Sequence, residues 1–158
     1  MKRRILFVMS LLLTAAVLIA IFCFSAQPAS QSNGVSKKLA EMVVKWMSWF
    51  ATKYTIRQRN YILRKLAHFT LYFLLGCGLT GLLRTGRKTL PAITAVPIGA
   101  VCAVLDEWHQ SFVPGRSPQL RDIGLDTCGV AAAVVLLLLI PSHGKRGDRP
   151  QKTERTEE

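Results

Sequence analysis

The sequence predicts an all-α membrane protein with four transmembrane helices and one amphipathic helix lying in the membrane interface. Three observations lead there. Half of the residues are apolar, yet the chain carries a formal net charge of +12, and the two properties are segregated along it. Residues 5–36, 66–83, 89–105 and 127–142 contain no Asp, Glu, Lys or Arg at all. Four of the nine acidic residues then fall within residues 106–126, between the last two of those runs. Segregation of this kind excludes both a conventional soluble core and a disordered basic chain.

A membrane-crossing helix needs roughly 20 mostly apolar residues. The first run contains such a stretch at about 5–24, and the second predicts a helix over about 64–83. The third predicts about 89–108. The fourth reaches crossing length, at about 123–141, only by taking Asp126 into the membrane. Met1-Lys-Arg-Arg before an apolar run also fits a secretory signal, but the run is long for a signal core, and Phe24 stands where a small residue is preferred. A lipid-anchored Cys23 is equally poorly supported, because Ile21 and Phe22 precede it. The first helix is therefore expected to be retained.

Between the first two spans, Val35, Leu39, Met42, Val43, Trp46, Trp49 and Phe50 recur at helical spacing, with Lys37, Lys38, Glu41, Lys45 and Ser48 on the other face. A Lys-rich face opposite a Trp/Phe face is typical of an interfacial helix, expected at about 35–52; a helix packed over the mouth of the bundle would share the pattern. Residues 143–158 are charged and aperiodic, and read as a disordered tail.

Lys2, Arg3 and Arg4, with the tight Arg84–Lys88 hairpin, place both termini in the cytoplasm, because short loops and the first helix weigh most in the positive-inside rule. The bare count is 11 basic residues inside against 10 outside.

Several short patterns carry no chemistry. Cys23, Cys77, Cys102 and Cys128 fall one per span without CxxC spacing, and read as small apolar packing residues. Gly76-Cys-Gly78-Leu-Thr-Gly81 spells a dinucleotide fingerprint, but no strand precedes it; small residues for close helix approach explain it better.

The chemistry lies in residues 106–126, DEWHQSFVPGRSPQLRDIGLD. Asp106, His109 and Gln110 share a helical face, Pro114-Gly115 and Ser117-Pro118 bracket Arg116 in turn-forming residues, and Asp122 and Asp126 are one helical turn apart. Lys65, His68 and Tyr72 form a stripe on the second helix, expected at the same outer rim. Ionisable groups at membrane depth cost at least ~2.5–3.5 kcal/mol, which favours a functional reading.

The competing reading is a purely structural network in which Arg116 and Arg121 neutralise Asp122, Asp126 and Glu107. A metal site from Asp106, Glu107, His109 and Asp122 has no diagnostic spacing, and a Ser–His–Asp device from Ser111 or Ser117 with His109 lacks a nucleophile turn. No metal and no cofactor is therefore expected. Recognition of an anionic head group fits best. Arg116 would supply a planar fork, Lys65 a point charge, and Asp106, Glu107 and Gln110 acceptors for hydroxyls or amides.

At these residues the chain resembles the VanZ-like family of small bacterial membrane proteins. The resemblance rests on Arg64-Lys65-Leu-Ala-His68-Phe-Thr-Leu-Tyr72, on Asp106-Glu107-Trp-His109-Gln110-Ser-Phe-Val-Pro114-Gly115-Arg116, on Arg121-Asp122 with Asp126, and on Phe24-Ser25-Ala26-Gln27. It implies a multi-pass protein of the bacterial cytoplasmic membrane and, through the family's namesake, an association with low-level teicoplanin resistance. It names no reaction. The candidate ligand-binding residues are thus Lys65, His68, Tyr72, Asp106, Gln110, Arg116, Arg121, Asp122 and Asp126. The expected partners are membrane lipids, among them an anionic envelope lipid or cell-wall precursor, and not nucleic acid. An intramembrane hydrolase or transferase, with Glu107 or His109 as general acid/base, is the enzymatic alternative, and a scaffold for another membrane protein is the third.

Overall fold

The structure is a computed structural model describing residues 1–28, 42, 54–86 and 90–140. The expected interfacial helix at 35–52, but for residue 42, and the expected tail at 143–158 lie outside the described residues. All regular structure among the described residues is helical: α1 (Lys2–Ser25), α2 (Ile56–Thr85), α3 (Ala95–Gln110) and α4 (Leu120–Leu139).

Among the described residues, three helices are long and apolar enough to cross a membrane: Lys2–Ser25, Gln58–Thr85 within α2, and Leu120–Leu139. The expectation over 89–108 is met only in part, since α3 has 16 residues, about 24 Å against a hydrocarbon core of about 30 Å. Proline sets its start. Pro97 lies in the first turn of α3, where its missing N–H has no intrahelical acceptor, but an α-helix continued backwards would drive its ring into the carbonyl of residue 93. The chain instead enters through one 3-10 turn, Ala92–Thr94, after Pro91.

At its start α2 is longer than its apolar run. Thr55 caps the helix: its side chain accepts from the Gln58 N–H, and the Gln58 side chain accepts from the Thr55 N–H, a reciprocal capping box. That cap starts the helix eight residues before position 64, adding about 12 Å at 1.5 Å per residue.

The helices pack around α2. α1 meets it antiparallel: Thr14 packs at Gly78, and Arg3 donates to the main-chain carbonyl of Gly86 at 2.6 Å and that of Thr85 at 3.3 Å. α4 meets it parallel, with Gly129 beside Phe69 and Phe73, Gly76 beside Val130 and Ala133, and Arg84 donating to the Leu137 carbonyl at 3.3 Å. A Cβ on Gly129 would sit 2.7 Å from the Phe69 carbonyl oxygen, and one on Gly76 would sit 2.9 Å from Val130 Cα, so both positions need glycine for backbones to approach. The dinucleotide-like glycines thus serve helix contacts, Gly76 toward α4 and Gly78 and Gly81 toward α1. Tyr72, Leu75, Val130 and Val134 form the centre, while Leu6, Leu12, Ile19 and Phe22 of α1 face outward, as lipid-facing side chains do.

Candidate functional site

Because α2 and α4 run parallel, successive turns of one face successive turns of the other, and two polar rungs join them near their N-termini. Lys65 forms an ion pair with Asp122. One turn deeper, His68 Nδ1 lies 3.8 Å from Asp126 Oδ2. Asp126 is 1% exposed, and neither of its oxygens has a hydrogen-bond partner among the described residues. Tyr72, the next residue of the α2 stripe, is fully buried, and its hydroxyl likewise has no hydrogen-bond partner among the described residues.

A second network ties α3 to the end of α1. Gln110 is its hub: Nε2 donates to Asp106 Oδ2 at 2.7 Å and to Ser25 Oγ at 3.2 Å, while Oε1 accepts from Arg116 at 2.9 Å. Arg116 also donates through Nη2 to the Phe24 carbonyl at 2.9 Å and through Nε to the Gln27 carbonyl at 3.1 Å. Carbonyls at a helix C-terminus lack intrahelical donors, so a guanidinium there satisfies oxygens that the helix cannot. Local sequence delivers Arg116 to that place. Val113-Pro114-Gly115-Arg116 closes on a 3.1 Å bond from the Arg116 N–H to the Val113 carbonyl, with Gly115 at φ 77, as in a type II turn with Pro then Gly at its centre. Burial, then the charge of Arg64, lowers the pKa of Arg116, whereas Asp106 and Glu107 raise it. A guanidinium remains charged throughout.

Glu107 is buried, and its Oε2 accepts the Gln119 N–H at 2.9 Å, fixing the residue that precedes α4. The competing reading, a network of Arg116 and Arg121 with Asp122, Asp126 and Glu107, gives way to a different pairing. Lys65 takes Asp122, Arg116 takes Gln110 and main-chain carbonyls, and Arg121 is exposed.

Between the two networks lies a cavity of about 170 Å³, lined by Arg64, Lys65, His68, Gln110, Gly115, Arg116, Ser117, Gln119 and Asp122. Of the residues expected at the site, it gathers Lys65, His68, Gln110, Arg116 and Asp122. Tyr72, Asp106 and Asp126 are buried beneath, whereas Glu107 and His109 are not among the lining residues. His109 packs its ring edge-on against Phe22, at 4.7 Å between centroids. Arg64, Ser25 and Gln119 were not singled out for the site from the sequence. Arg64 stands in the quoted Arg64–Tyr72 motif and Ser25 in Phe24-Ser25-Ala26-Gln27, but the carbonyl acceptors for Arg116 carry no side-chain signal.

A family model described as VanZ/LLP1 matches residues 9–141, which is most of the chain. No curated protein and no solved structure matches the chain significantly. The chain belongs to the VanZ/LLP1 family.

Proposed function

We propose that this VanZ/LLP1 family member is a multi-pass protein of the bacterial cytoplasmic membrane, crossing it four times with both termini in the cytoplasm. Its outer rim binds the phosphate of an envelope lipid or cell-wall precursor. Engaging that precursor lowers sensitivity to teicoplanin-type glycopeptides, which target cell-wall precursors. Four crossings are supported by connectivity. A chain whose second and fourth helices run parallel has to return between them, and α3 with its leading 3-10 turn is the segment available.

The observation that carries the binding reading is the rim cavity, where Arg64, Lys65 and Arg116 meet in one lining. At about 30 Å³ per water, about 170 Å³ holds five or six waters or a phosphate with its nearest substituent. Arg116 spends three of its N–H groups on Gln110, Phe24 and Gln27, and a guanidinium has five. Its remaining donors and those of Lys65 suit phosphate oxygens.

The test uses full-length protein in nanodiscs titrated with farnesyl phosphate and, separately, with farnesol. The wild type is expected to bind the phosphate, and Arg64→Gln to bind it about tenfold more weakly, a loss of about 1.4 kcal/mol. Equal binding of the phosphate and the alcohol removes the anion reading. Teicoplanin susceptibility of a sensitive host, at matched membrane levels of the two proteins, then checks the link to resistance.

A further inference from the structure

Beneath the rim cavity, three helices bring one imidazole and two carboxylates together. Ligand atoms of His68 on α2, Asp106 on α3 and Asp126 on α4 all lie within 4.8 Å of one another. From this convergence we infer that the His68–Asp106–Asp126 cluster is a binding site for one divalent transition-metal cation of the zinc type. The inference does not depend on the phosphate reading.

Charge and hydrogen bonding carry it. Asp126 is 1% exposed, and among the described residues neither of its oxygens has a hydrogen-bond partner, nor has the hydroxyl of the fully buried Tyr72. Buried polar groups are almost always satisfied, and a buried carboxylate without a hydrogen bond is among the costliest exceptions. Of the cations around the cavity, Lys65 is paired with Asp122 and Arg116 with Gln110 and the end of α1, while Arg64 lines the cavity wall. A cation held by the cluster would supply the charge that Asp106 and Asp126 otherwise lack.

The donor set and spacing select the ion. Imidazole with carboxylate oxygens suits zinc and its neighbours, whereas magnesium and calcium favour all-oxygen sets. Zinc bonds of about 2.0–2.2 Å in a tetrahedron separate ligand atoms by about 3.4 Å. The His68–Asp126 separation of 3.8 Å is close to that, and all three ligand atoms lie within 4.8 Å of one another. Gln110 donates to Asp106 at 2.7 Å, as outer hydrogen bonds orient a ligating carboxylate. Tyr72 stands one turn from His68 as a fourth ligand or a donor to a ligating oxygen. His68 also lines the cavity, which gives the ion a path in.

The test uses the full chain without a polyhistidine tag, in nanodiscs, stripped with chelator and dialysed against Zn²⁺ alone. Metal per chain is then counted by mass spectrometry. The expected result is about one equivalent in the wild type and in His109→Gln, with loss of that equivalent in His68→Gln and Asp126→Asn. Tyr72→Phe is expected to weaken binding about 10–100-fold. Because a variant can lose metal by misfolding, Tm is read alongside. Zn²⁺ raises the Tm of the wild type but not that of Asp126→Asn, whose metal-free Tm is at least that of the wild type because a buried carboxylate charge without a hydrogen bond has gone. Metal-free wild type after Zn²⁺ dialysis overturns the site, as does a full equivalent retained by folded Asp126→Asn.

Discussion

The guanidinium of Arg116 donates to the main-chain carbonyl of Phe24 at 2.9 Å, joining residues 92 apart in sequence. With the bond to Gln27, it holds the end of α1 against the turn before α4. Arg116 is thus a fastening as well as a wall of the cavity.

Arg116→Ala is expected to destabilise the protein by about 2–3 kcal/mol, since hydrogen bonds from a charged donor contribute about 1.5–3 kcal/mol. Arg116→Lys should recover only part, because an ammonium cannot reach three divergent acceptors from one point. Denaturant unfolding in detergent measures both, and wild-type stability of Arg116→Ala would mean that the clasp contributes nothing.

Two glycines on α4 should respond oppositely to the same change. Gly129→Ala places a methyl 2.7 Å from the Phe69 carbonyl oxygen and is expected to cost about 1–3 kcal/mol. Gly124→Ala meets nothing within 4 Å, so helix propensity alone acts and the protein gains up to about 1 kcal/mol. Thermal unfolding of the pair gives the comparison; equal effects would contradict the parallel α2–α4 packing.

The Lys65–Asp122 rung is open to a charge swap. Its side chains are 16% and 21% exposed, so breaking it with Lys65→Asp should cost about 1–3 kcal/mol. The double variant Lys65→Asp, Asp122→Lys should regain most of that loss, read as the coupling energy of a double-mutant cycle. A coupling near zero would reduce the pair to a solvated contact.

Ser117 is exposed on the loop between α3 and α4 and lines the cavity. In a variant lacking the four native cysteines, Ser117→Cys should react with a membrane-impermeant maleimide added outside intact cells. Labelling only after the cells are opened would place the rim in the cytoplasm and reverse the proposed orientation.

Hydropathy revealed where the long helices lie, because lipid demands continuous apolar stretches, and α1 and α4 begin and end within three residues of expectation. It could not reveal the first two turns of α2, whose start is set by the Thr55–Gln58 cap and not by apolar content. Nor did it reveal how far α3 falls short, which Pro91 and Pro97 decide. The stripe Lys65, His68, Tyr72 and the pair Asp122, Asp126 were legible as helical faces. Which acid meets which base was not, because that depends on the relative register of α2 and α4. The expectation of no metal rested on spacing within one segment, and spacing is silent about ligand atoms contributed by three helices.

Both ends of α1 are held by arginines acting on main-chain oxygens: Arg3 on Thr85 and Gly86, and Arg116 on Phe24 and Gln27. The two sides of these contacts differ in their vulnerability to mutation. A carbonyl survives any substitution of its own residue, so positions 24, 27, 85 and 86 can change their side chains without losing an acceptor. The donors have no such redundancy, and a single codon change at either arginine removes both main-chain contacts at that end of the helix. Random substitution around these contacts should therefore be tolerated on the receiving side and concentrate its damage at residues 3 and 116.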